Sequence, residues 1–332
     1  MARSLALHDE IPERASRPGP AIAAKGFRPF FALAAAYAIL IVPLWLLVIA
    51  GTVRPSAYMD PSSWHAHEMI LGFTVAVIAG FLLTAVGNWT KRETAVGVPL
   101  LGLAALWLAG RVAMLFASVL PRGLPALVDL AFVPLLMIVL ARPLLAAKNH
   151  RNLVMLGILA ALWAANVTMH LDALGIMAMG WAHRAGVVAV DVVALVMLLI
   201  AGRVFPMFTR NATGVASIRS IPVLDAMTVI GMAAVVVADA LSVDATIGNT
   251  LAGLVGLLAA ARAIHWGAQH SFKEPLLWIL HAGYAWLVLG LVMRAAAPQL
   301  GISSSLATHA ITVGAIGSLT LGMMARVSLG HT

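Results

Sequence analysis

The sequence predicts an all-α fold, a polytopic transmembrane helical bundle of about ten spans. Three observations predict it. Of the 332 residues, 62% are hydrophobic and only 10% charged, against about 25% charged in a soluble domain. The mean hydropathy is +0.98, so no polar shell exists to coat a globule of this size, and lipid is the solvent left for the apolar surface. Apolar runs of about 20 residues, the length that crosses a bilayer, recur along nearly the whole chain.

In order, the spans read Phe27 to Ile49, His65 to Gly87, Gly97 to Val119, Ala126 to Ala146 and Asn152 to Leu171. They continue with Ala182 to Phe205, Pro222 to Leu241, Thr246 to Trp266, Pro275 to Arg294 and Ser304 to Ala325. The links are short, as helix–helix connections in bundles are. Residues 25–332 therefore read as one transmembrane domain. Residues 1–24 are polar and mixed in charge, with Pro12, Pro18 and Pro20; they are expected to form a disordered cytoplasmic tail. They contain no apolar stretch followed by a small-residue cleavage site, so no signal peptide is expected.

Basic residues set the orientation. With the N-terminus in the cytoplasm, sixteen Lys and Arg fall inside and five outside (Arg54, Arg111, Arg122, Arg184 and Arg294). The alternation holds loop by loop, and a missed or invented helix would scramble it. The expected location is the bacterial inner membrane. The net charge of +8 then reflects inner-loop basicity and not a nucleic-acid surface.

There are no cysteines, which excludes disulfides, thiolate zinc or haem ligation, iron–sulfur clusters and covalent c-type haem. A metal here is left with His, Met, carboxylate or backbone ligands. Five of the 11 histidines share one depth near the outer surface: His65, His67, His170, His183 and His309. The last lies roughly 8 Å into its span at 1.5 Å per residue. Each alone reads as an interfacial imidazole with its own hydrogen bond. Together, on four helices at one depth, they are what a bundle-core metal or haem site needs. His281 lies nearer the cytoplasmic end of the ninth span, in a separate site or at the other side of a haem.

In the string Trp64-His65-Ala66-His67-Glu68, two imidazoles two residues apart face nearly opposite ways on a helix. They meet one ion only where the chain is extended or the helix starts after them. Otherwise they serve two sites, or one is an outer partner of the other's site. Glu68 suits either orientation of His65, three residues back, or the positive end of a helix. Met169, Met177 and Met179 stand among His170 and His183. Thioether with imidazole suits Cu(I), so Met177 and Met179 are candidate copper ligands, while the bland reading is gap-filling. Arg111, Asp129 and Asp191 are intramembrane charges, and such charges are usually paired; Arg111 is expected to pair with Asp191 or Asp129, or else to meet a haem propionate. Gly202 to Thr209 is expected to be a tight helix exit, because Pro206 has no amide donor.

Several strings resemble the NnrS family of haem- and copper-containing membrane proteins linked to nitric oxide stress. They are Gly26-Phe27-Arg28-Pro29-Phe30-Phe31, Trp64-His65-Ala66-His67-Glu68-Met69, Asn166…Met169-His170, Gly202 through Thr209, Leu280-His281-Ala282-Gly283-Tyr284, Thr308-His309-Ala310 and Leu321 through Thr332. The match runs from Lys25 over nearly the whole chain. The resemblance implies haem and copper as cofactors, nitric oxide or a related small molecule as ligand, and an electron donor as partner. It assigns no reaction. The family resembles a twelve-span protein, so a chain ending at Thr332 is expected to lack a final helix pair. The alternative function is a transporter for a metal, haem or small molecule; a purely structural subunit is the third reading.

Spans two, six and ten each carry a histidine near the outer end. Aligning His67 with His309 also aligns Gly72 with Gly314, Gly80 with Gly322 and Thr90 with Thr332. This suggests repeated four-helix units, resembling in outline the twelve-span haem–copper oxidase core.

Overall fold

A computed structural model describes residues 20–53 and 58–330. Arg54 and residues 1–19 of the expected tail lie outside the described residues. Of the rest of that tail, Ala21–Ala23 form one 3-10 turn, tied to the chain by the Gly97 N–H donating to Ala23 O at 2.8 Å.

Among the described residues ten helices are long and apolar enough to cross a membrane. They are α1 (Phe27–Ile49), α2 (Pro61–Thr90), α3 (Val98–Leu115), α4 (Leu124–Ala146), α5 (His150–Ala173), α6 (Trp181–Thr213), α7 (Pro222–Ala240), α8 (Ala245–Trp266), α9 (Pro275–Leu300) and α10 (Ser304–Leu329). The expected spans map onto them one for one. Several ends differ by four residues or more, among them the ends of α3, α9 and α10, and two carry a local lesson. α2 begins four residues early because Asp60 caps it, its carboxylate accepting from Ser62 N and Ser63 N, with Pro61 preset for the first turn. α6 does not exit at Phe205; it runs on to Thr213 with Pro206 inside it. The missing amide removes a single backbone bond, the one to Gly202 O. Past it, Thr209 Oγ1 donates to Phe205 O at 2.8 Å and Thr213 Oγ1 to Thr209 O at 2.7 Å.

The chain divides into two compact units, one up to Ala189 and one from Val190, so the division falls within α6. In the first unit α2 is the most enclosed span: 72% of its apolar stretch is buried, against 11–44% for α1, α3, α4 and α5. α1 lies on it by close approach. A Cβ on Gly80 would stand 2.9 Å from the Phe31 ring, and one on Gly26 would overlap Leu83. The Phe27 N–H at the start of α1 donates to Thr84 Oγ1 of α2 at 3.1 Å.

The second unit uses the same small-residue contacts. Gly253 and Gly256 of α8 admit Ala295 and Val292 of α9, and Gly290 of α9 admits Ile311 of α10. With lipid on one side and helix on the other, such close van der Waals approach drives association of spans. Two arginines lock the unit, Arg262 buried and Arg294 half-buried. Arg294 binds Asp191, Asp239 and Asn249, so Asp191 belongs to Arg294 and not to Arg111. Arg262 binds Asp225, Tyr284 and Leu198 O.

The helix pairs α1–α2 and α9–α10 are built alike. Residues His67–Thr74 of α2 and Ala310–Gly317 of α10 are both π-helical. Gly72 faces Tyr37 and Gly80 faces Phe30 and Phe31; Gly314 faces Trp286 and Gly322 faces Ile279 and Leu280. The spacings match on both helices, which is the correspondence that aligning His67 with His309 predicts.

Candidate functional site

The first unit gathers buried polar side chains from α2, α3, α4 and α5. Exposure is 0% for His67, 1% for Glu68 and His170, 3% for Asn166 and 4% for Arg111 and Asp129. Burial of so many polar groups in a membrane span demands that they satisfy one another. α5 supplies Asn166 and His170, four residues apart and so on one face. α4 supplies Asp129, seated against Gly110 of α3, where a Cβ would stand 3.1 Å from its Oδ1. α2 supplies His67 and Glu68 from the first turn of its π segment, an irregularity frequent at functional sites.

Asp129 is the centre. Its Oδ2 accepts from Asn166 Nδ2 at 2.7 Å and lies 3.0 Å from His170 Nε2 and 3.2 Å from His67 Nε2. Its Oδ1 pairs with Arg111 Nη2. His67 Nδ1 donates to Glu68 Oε1 at 2.7 Å, and its Nε2 also meets Asn166 Oδ1 at 2.9 Å. Arg111 Nη1 donates to both Glu68 oxygens at 3.0 and 2.9 Å, and Tyr37 Oη donates to Glu68 Oε2. Tyr58, in the outer link before α2, hydrogen-bonds through Oη to His170 Nδ1 at 2.8 Å. Burial pushes that phenol up to about 12, so it keeps its proton throughout the ordinary pH range.

One ligand atom each from His67, Asp129 and His170 lies within 4.8 Å of the other two. Two imidazoles and a carboxylate form a nitrogen–oxygen donor set of the kind that holds Cu(II), Zn(II) or Fe(II). Glu68 on His67 and Tyr58 on His170 hold the opposite ring edges, the arrangement that orients imidazole ligands in metal centres.

The other candidates from the sequence stand apart. His65 leaves its neighbour's site and stacks on Trp45, with ring centroids 4.2 Å apart and planes at 10°. Glu68 serves His67 rather than His65. His183 is exposed. Met177 is half-buried and Met179 is 97% exposed. In the second unit His309 is exposed, its Nδ1 donating to Ser305 O at 2.7 Å, which leaves Nε2 bare and outward. His281 Nε2 donates to Thr209 Oγ1 at 2.9 Å, because that hydroxyl already spends its hydrogen on Phe205 O. Arg111 takes Asp129 and Glu68 together. Asn166 and Tyr58 are the participants that reading the sequence missed; the spacing of four between Asn166 and His170 was the available signal for the first.

The fold and this cluster define a polytopic helical membrane protein with a buried His/Asp/His centre. The sequence matches the NnrS family, described as NnrS protein, over residues 21–332. The chain belongs to that family. No curated protein and no solved structure matches it.

Proposed function

We propose that this protein is a metal-binding protein of the bacterial inner membrane acting in the response to nitric oxide, with one copper or iron ion held by His67 Nε2, His170 Nε2 and Asp129 Oδ2. A single observation carries the metal reading. Both ring nitrogens of the fully buried His67 face only acceptors, Glu68 on one edge and Asp129 with Asn166 Oδ1 on the other. A neutral imidazole has one N–H and cannot serve both edges. A metal cation at Nε2 can, as can a second ring proton, and metal analysis separates the two. Two carboxylates, Glu68 and Asp129, against one guanidinium, Arg111, also leave one negative charge to balance in a low-dielectric interior.

A bound ion would supply Lewis-acid or one-electron chemistry here. The chain's own groups fix its ligands. Glu68 holds the His67 Nδ1 proton, Tyr58 holds His170 at Nδ1, and Arg111 spreads and orients the two carboxylates. The same place does not fit haem: the His67 and His170 rings meet edge to face with centroids 5.3 Å apart, and the adjoining cavity is only about 10 Å³. Haem, which the family resemblance implies, is therefore assigned away from this centre, with His183 in the first unit and His281 and His309 in the second left as separate candidates. The N-terminus is assigned to the cytoplasm, and nitric oxide or a related small molecule is the assigned ligand.

Metal analysis of purified protein, with copper or iron supplied during expression, tests the reading. About one ion per chain is expected in the wild type and in His183→Ala, and background levels in His67→Ala and His170→Ala. A metal-free wild type, or an unchanged His67→Ala, refutes the centre. Nitric oxide should alter the paramagnetic resonance spectrum of the loaded protein; an unaltered spectrum removes nitric oxide from the reading while leaving the metal.

A further inference from the structure

The nitrogens of Arg111 are used unequally. Nη1 is committed to Glu68 and Nη2 to Asp129. Nε, on a side chain 4% exposed, has no hydrogen-bond partner among the described residues. A buried donor left unmade costs about 1–3 kcal/mol, more when charged. Such an atom in a native fold calls for an acceptor.

Arg111 also walls a cavity of about 10 Å³, together with the polar Trp107, Asp129 and Asn166 and the apolar Phe132 and Val133. About this volume admits one water-sized molecule. The other donors in the wall are already engaged. Trp107 Nε1 donates to Gly72 O at 3.1 Å, and Asn166 Nδ2 donates to Asp129. An anion there would face the Asp129 carboxylate and a cation would face the guanidinium, so the occupant is neutral.

We propose that this cavity between α3, α4 and α5 is a binding site for one neutral hydrogen-bond acceptor of water's size, held by the Nε–H of Arg111. An occupant with a hydrogen to give returns it to Asp129. The site stands on the cavity and Arg111 and does not depend on the metal reading. Solvent water is the probe.

An experimental density map of the full chain in lipid nanodiscs, at a resolution that shows waters, tests it in chelator-treated and in metal-loaded protein. The expected result in both is a peak about 2.7–3.2 Å from Arg111 Nε. Arg111→Lys keeps the positive charge but has no Nε–H, and its map should lack the peak. An empty wild-type cavity overturns the proposal. A peak seen only in the metal-loaded protein also overturns it, because the occupant would then belong to the metal. Should Arg111→Lys fail to accumulate, the wild-type maps with and without metal decide alone.

Discussion

At the scale of residues, Arg111 and Asp129 hold the first unit's buried cluster together, and their failure modes differ. Removing Arg111 leaves two buried carboxylates without a counter-charge. Breaking a buried pair by deleting one partner costs about 3–5 kcal/mol. Arg111→Ala should therefore lower the melting temperature in detergent sharply, while a surface change such as Arg184→Ala leaves it within a degree or two; equal melting of the two variants would show that the pair carries little stability. Gly110→Ala acts more locally. Its Cβ would stand 3.1 Å from Asp129 Oδ1 and 3.3 Å from Asp129 Cα, so the carboxylate or α4 must shift by a few tenths of an ångström. The expected outcome is a loss of bound metal larger than the loss of stability, read by metal stoichiometry alongside thermal melting. Full metal retention would mean that the centre does not depend on where Asp129 sits.

At the scale of elements, the starts and contacts of spans decide what they present. Asp60 caps the first turn of α2, and losing such a cap costs about 1 kcal/mol. Asp60→Ala should loosen the segment that carries His65 and His67, seen as faster amide hydrogen exchange over residues 61–66; unchanged exchange would assign that segment's order to its packing alone. α6 shows the opposite lesson. Its Pro206 removes one backbone donor without ending the helix, so Pro206→Ala should leave the melting temperature unchanged or raise it, and a fall would make the proline a required bend. Between α8 and α9 the approach is set by Gly253, where a Cβ would come within 2.5 Å of Ala295 Cβ. Gly253→Val forces the helices apart, and overpacking of this kind costs about 1–3 kcal/mol.

At the scale of the whole molecule, the alternation of basic loops predicts which surface each link faces. A chain without cysteine makes the test direct, since any introduced thiol is the sole one. Ala178→Cys, in the link before α6, should react with a membrane-impermeant maleimide on intact right-side-out vesicles. Ala216→Cys, in the link after α6, should react only after permeabilisation. Reversed labelling would invert the orientation and move the His67 end of α2 to the cytoplasmic side. The likeness of α1–α2 to α9–α10 also works at this scale. Matching π segments, a matching glycine–aromatic contact (Gly72 on Tyr37, Gly314 on Trp286) and a second glycine contact eight residues on in both pairs are hard to reach independently, since each needs a particular residue at a particular helical phase.

The sequence by itself determined the fold class, the number of spans and the family. Those are properties of hydropathy, length and local strings, which need no knowledge of neighbours. It also marked out His67, His170 and Arg111, because imidazole and guanidinium within a span are conspicuous against an apolar background. Only the tertiary structure decided which of them meet. His65 and His67 differ by two positions, and helical phase alone sends one to Trp45 and the other to Asp129. Asp129 was legible as a partner for Arg111 but not as the hub of two imidazoles, since that needs α2 and α5 to flank α4. Asn166 shares a helix face with His170 by its spacing of four, but that names no partner, and Tyr58 gave no sign of its role, because an amide or a phenol is ordinary in any chain until packing aims it at something. The persistence of α6 through Pro206 was likewise undecidable locally: the ring forbids one hydrogen bond, and whether the helix survives depends on helix packing that propensity cannot see.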